Sequence, residues 1–131
     1  MKCRADYYFG VDGETLLLQI KDDINRLLQL KALFTELAQD EQKEIRLSSV
    51  IDIEMTGFIE LEMSNWYTYV DIRNKRGTIL WGQTPEDWRN CAALIDGLIE
   101  GAANGHGGHQ YLGDGRVTMV LSYNEYLRAC P

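Results

Sequence analysis

Residues 58–82 read FIELEMSNWYTYVDIRNKRGTILWG. From Phe58 to Met63 the pattern alternates, with Ile59, Leu61 and Met63 on one side and Glu60 and Glu62 on the other. Trp66 to Arg73 alternates again, opposing Trp66, Val70 and Ile72 to Tyr67, Tyr69, Asp71 and Arg73. Successive side chains of a strand point to opposite faces, so each run predicts a half-buried strand. Ser64-Asn65 fits a tight turn between them, Asn74 to Gly77 a second turn, and Thr78 to Gly82 a third strand. Short turns join antiparallel neighbours, so the stretch predicts an antiparallel meander with one buried and one open face.

Downstream, Thr84 suits a helix N-cap, Pro85 the first helical position, and Asp87 the third position of a capping box. Trp88, Ala92, Ile95 and Ile99 then share one helical face, with Cys91 and Leu98 beside them, until Gly101 and the Asn104–Gly108 run end it. Gly113-Asp114-Gly115 predicts a hairpin between strands His109–Leu112 and Arg116–Ser122. Upstream, Lys2 to Phe9 predicts a strand and Asp12-Gly13 a turn. The apolar spacing from Glu14 to Gln39 predicts a long helix, although Leu16-Leu17-Leu18 also fits the end of a strand. Ile45 to Ile53 fits neither period clearly. The expectation is one α+β domain over 1–131: a mainly antiparallel sheet of about five or six strands with two helices packed on one face. Leu27, Phe34, Ile59, Leu61, Trp88 and Ile95 are its expected core.

The 131 residues, 45% hydrophobic and 25% charged, match an ordinary globular chain whose core needs no disulfide or metal. A formal net charge of −7 argues against nucleic-acid binding, which depends on Lys and Arg, and suits a basic protein partner. Cys3, Cys91 and Cys130 form no CxxC or CxxH pair, so reduced thiols in a cytoplasm are expected. Met1 to Gly10 lacks the pattern of a signal peptide, and no apolar run approaches a membrane span.

Few residues invite chemistry. His106 and His109, set among glycines after the second helix, would need Asp96, Glu100 or Asp114 to complete a metal or pocket site. The alternative is a glycine-rich helix-to-strand loop, and no metal or cofactor is expected. These glycines follow a helix, whereas a phosphate loop precedes one, and no nucleotide motif occurs. Cys91 lies mid-helix beside Trp88 and Ile95, which favours packing over nucleophilic attack. Glu60 and Glu62, about 7 Å apart along a strand, have a spacing usable for acid–base work but read as a solvated face.

That open face, with Glu60, Glu62, Tyr67 and Tyr69 together, is the candidate partner-binding surface. Residues 36–62 hold eight acidic side chains against Lys43 and Arg46, which concentrates negative charge nearby. The stretch Trp81-Gly82-Gln83-Thr84-Pro85-Glu86-Asp87-Trp88, followed by a helix and Gly108-His109-Gln110-Tyr111-Leu112, resembles small uncharacterised bacterial proteins of the toxin-immunity or integron gene-cassette type. The likeness covers about the last 50 residues and brings no catalytic motif. It implies a compact cytoplasmic protein that works by binding. The leading expectation is a non-enzymatic, immunity-like inhibitor of a basic protein. The alternatives are a small-molecule binder or small hydrolase at His106 and His109, and a self-associating dimer that buries the tyrosines.

Overall fold

The computed structural model describes residues 3–11, 13–73 and 77–125. The expectations for Lys2, Asp12, Asn74 to Arg76, Cys130 and the last six residues lie outside them.

The chain folds as α+β, with nine strands in two mixed sheets and two helices. β1 (Cys3–Gly10) and β2 (Gly13–Ile20) form a hairpin in which Gly10 pairs with Gly13. The long helix expected from Glu14 therefore begins later, as α1 (Ile24–Leu37). Leu16, Leu17 and Leu18 are all buried, so both faces of β2 are covered, as befits a central strand. Asp22, at φ 51, ends that strand. Its backbone N–H donates to Asn124 Oδ1 at 2.8 Å, and Asn124 Nδ2 donates back to Asp22 Oδ1 at 3.1 Å. Both residues tolerate the left-handed conformation because their short polar side chains bond locally.

The stretch that fitted neither period holds most of β3 (Glu44–Arg46) and a 3-10 turn at Leu47–Ser49, and β4 (Glu54–Thr56) follows it. Next come β5 (Glu60–Ser64), β6 (Val70–Arg73) and β7 (Thr78–Gly82). After them run α2 (Pro85–Ala103), β8 (Gly108–Asp114) and β9 (Thr118–Tyr123). The first sheet has the order β4-β1-β2-β9-β8 and the second β3-β5-β7-β6.

The expected meander is corrected here. β5 and β7 are parallel neighbours, with Leu61 opposite Ile79 and Met63 opposite Trp81, and β6 pairs antiparallel on the far side of β7. β1 with β4 and β2 with β9 are parallel as well, so the single mainly antiparallel sheet gives way to two mixed ones. Parallel pairing needs a crossover of about a dozen residues or more, which 65–77 supply. Ser64-Asn65 cannot serve as a hairpin turn because Asn65 is bonded elsewhere, as described below.

The inner faces of both sheets meet α1 and α2 in one core cluster. Leu27, Phe34, Leu61, Trp88 and Ile95 are buried there as expected. Ile59 is not: it precedes β5, is 71% exposed and lies over Gly77, while Phe58 turns inward instead. Trp66 likewise lies outside the core, 55% exposed, because residues 66–69 do not pair as a strand.

α2 starts where its sequence says. Thr84 Oγ1 accepts from the Asp87 N–H at 3.1 Å, and Pro85 stands at the first helical position. Thr84→Ala should cost about 1 kcal/mol in chemical unfolding, since it strands one first-turn donor. At the other end Gly105 takes φ 78, and the His106 N–H donates to Gly101 O. The β8–β9 hairpin carries a register shift between Tyr111 and Gly113. Among the described residues, no helix is long and apolar enough to cross a membrane.

Candidate binding surface

Register settles which side chains share the face of the second sheet turned away from the core. Glu60 pairs with Thr78, Glu62 with Leu80 and Ser64 with Gly82, whereas Leu61, Met63, Ile79 and Trp81 point into the core. Across β3, Glu62 stands opposite Arg46 and Ser64 opposite Glu44. Glu60 is half-buried, and one carboxylate oxygen accepts from Ser48 Oγ. Asp71 is opposite Leu80 and pairs with Arg116 at 3.0 Å.

The aromatic part of this face is held by one side chain. Asn65 Oδ1 accepts from the Lys43 N–H at 2.8 Å, and its Nδ2 lies within reach of Leu37 O, Gln39 O and Glu41 O. Asn65 thus clamps the end of α1 and the loop after it, where Asp40, Glu41 and Glu44 are exposed. Trp66 follows at once, its N–H donating to the buried Ser64 hydroxyl. Tyr67 lies flat on Gly82, where a Cβ would fall 2.1 Å from the ring, so glycine is required there. Tyr69 stacks on Tyr67 at 4.6 Å and 25°, and Trp66 tilts against Tyr67 at 6.1 Å. Tyr69 is 53% exposed, and its carbonyl accepts from the Gly82 N–H.

Glu60, Glu62, Tyr67 and Tyr69 therefore lie on one face, but in unequal states. Tyr67 is a packed support, whereas Tyr69 and Trp66 present open rings. The spacing of Trp66 gave no sign of this, because alternation assigned it to the core.

The two histidines stand in different settings. His106 is exposed in the loop after α2, whereas His109 lies half-buried on β8, its Nδ1 against Glu125 Oε1 and its ring edge-on to Tyr111. Neither lines the cavity of about 380 Å3 or the one of about 370 Å3 that open between the elements. Among the described residues, no cluster of three or more His, Cys, Asp or Glu is placed to hold a metal.

No family model, curated protein or solved structure matches this chain. Its chemistry has to be read from the surface itself. Burial pushes the Cys91 thiol up to about 11, against a smaller lowering by the Gln83 hydrogen bond. Its Sγ accepts from Gln83 Nε2 and donates to Leu112 O. Burial also pushes Cys3 up to about 11. The nucleophile in thiol chemistry is the thiolate, so neither cysteine is poised to attack at neutral pH. The 380 Å3 cavity lies between Tyr7, Phe9, Phe58 and Ile79, with Glu14 and Arg116 also lining it. Arg116 is already paired with Glu14 and Asp71.

Proposed function

We propose that the protein acts by binding, as an immunity-like inhibitor that captures a basic protein partner on the face carrying Trp66 and Tyr69. The observation that carries this reading is a pair of exposed aromatic rings pre-positioned beside an exposed acidic loop. Large aromatic side chains left open on a fixed backbone lose little freedom on docking, and they dominate the energy of most interfaces. Exposed Glu41 and Glu44 lie next to the residues just before Trp66, Glu41 O accepting from Asn65 and Glu44 pairing with Ser64. The net charge of −7 favours a basic partner at long range. The buried, un-ionised Cys91 favours binding over catalysis.

The test is capture from a lysate of the cells that make the protein, followed by binding kinetics on the purified partner. The expected partner is basic, and its association slows as salt rises. Trp66→Ala should weaken it by about 2 kcal/mol, or about 30-fold, chiefly through faster dissociation. Glu41→Lys with Glu44→Lys should chiefly slow association. An acidic partner, or capture unchanged by all three substitutions, would refute the proposal. A dimer in sedimentation that Trp66→Ala dissociates would replace it with self-association.

A further inference from the structure

The second cavity, of about 370 Å3, opens between α2 and the β8–β9 hairpin. One stripe of α2 walls it: Asp87, Asn90, Cys91 and Leu94 stand at i, i+3, i+4 and i+7. Val117 and Met119 face them from the hairpin, and Gly115 there leaves open space where a side chain would stand. Thr68 and Val70 close a third side, from the same segment that carries Tyr67 and Tyr69 on its outer side. The Gln83 amide is fixed in the wall by its bond to Cys91 Sγ.

Small-molecule sites have this size, and the lining here is mixed, with apolar side chains of α2, β6 and the hairpin set beside the polar groups of Gln83, Asp87 and Asn90. Asp87 is the one acidic or basic side chain among the lining residues apart from the buried thiol. A helix start normally favours anions. Here Thr84 already caps the Asp87 N–H, and Glu86 and Asp87 occupy the first turn, so the local field is turned negative. We infer that this cavity binds a small organic cation, an amine on an apolar body, with Asp87 taking the ammonium and Val70, Leu94, Leu112, Val117 and Met119 the body. The cavity lies on the inner side of the segment whose outer side is the proposed protein-binding face, and its assignment does not rest on that proposal.

The test titrates the full chain with 2-phenylethylamine, 2-phenylethanol and phenylacetate while the amide resonances of Asn90, Gly113 and Gly115 are followed. The amine should bind best and the carboxylate worst. Asp87→Asn keeps the backbone bond to Thr84; it should weaken the amine about two- to five-fold, the range of an exposed charge pair, and leave the alcohol unchanged. Leu94→Trp, at a position 37% exposed, should block the cavity to both while the melting temperature holds. Equal binding of the three compounds, shifts confined to other residues, or no response to any of them at millimolar concentration would overturn the assignment.

Discussion

Trp88→Ala should lower stability by about 3–5 kcal/mol in denaturant unfolding, the largest loss expected from any single core truncation here. Trp88 is fully buried, with Phe34 of α1 at 5.3 Å and Trp81 of β7 at 4.7 Å between ring centroids. It ties α2 to α1 and to the second sheet at one point. Alanine leaves a void among rings that cannot collapse into it without moving a helix, and the cost of a void grows with the volume left empty. The indole Nε1 also donates to Ser64 O at 2.8 Å, but that carbonyl keeps a second donor, the Gln83 N–H at 3.1 Å. The hydrogen bond is therefore the smaller part. Trp88→Phe, which restores most of the ring and not the donor, should recover most of the loss. A Trp88→Ala cost within about 0.5 kcal/mol, the range of surface changes, would mean that α2 does not pack on this core.

The residues that were legible from the sequence are those whose placement is decided locally. Thr84, Pro85 and the spacing from Trp88 to Ile95 predict α2 because capping and helical period act within a few residues. The β8–β9 hairpin and the strand at Thr78–Gly82 are of the same kind, although the turn falls at 115–117 and not at Gly113-Asp114-Gly115, because Gly113 and Asp114 pair with Met119 and Thr118. Leu16-Leu17-Leu18 was ambiguous because three consecutive apolar residues satisfy a buried strand as well as a helix, and only the neighbours β1 and β9 decide. Alternation tells which side of a strand is buried and says nothing about which strand lies beside it. That is why β5 and β7 could be parallel neighbours while their sequence read as successive turns of a meander. The same limit applies to the candidate surface. Glu60 and Glu62 share a face because the period of two holds through β5, whereas Tyr67 and Tyr69 reach that face by the contact of Tyr67 with Gly82 and by stacking on each other. Trp66 and Ile59 escaped because both lie just outside paired strands, where the period has no force. The cavity beside α2 was written in the sequence as a helical stripe, Asp87, Asn90, Cys91, Leu94, but its empty space depends on how far the β8–β9 hairpin stands from the helix.

Asn65→Asp changes one terminal group and should cost about 3 kcal/mol or more at neutral pH, because the amide donor sits where three backbone carbonyls converge. Nδ2 lies 3.0 Å from Leu37 O, 3.1 Å from Gln39 O and 2.8 Å from Glu41 O. A carboxylate would keep the acceptor for the Lys43 N–H but would aim its second oxygen at those three oxygens. Leaving the partly buried Leu37 O unpaired costs about 1–3 kcal/mol, water can reach Gln39 O and Glu41 O, and the added charge facing three oxygens increases the penalty. The sign of the pH dependence follows. Facing carbonyl oxygens, the introduced carboxyl has its folded-state pKa raised above the ordinary carboxylate value. Arg89, which donates to Ala38 O at 3.1 Å, offsets this only in part because that guanidinium is already bonded. Its protonated form donates one hydrogen bond, so the variant is most stable below the unfolded pKa of about 4 and loses that stability as pH rises through the raised folded value. The gap between wild type and Asn65→Asp should therefore narrow on acidification, whereas Asn65→Ala should show a gap that does not change with pH. Amide exchange should quicken first at Lys43 and through residues 38–43, the loop the side chain clamps. On the function proposed above, capture should weaken before the fold is lost, because Asn65 ties the backbone just before Trp66 to the loop at Gln39–Lys43. A small, pH-independent gap with capture intact would show that the loop and the aromatic segment hold their places without this side chain.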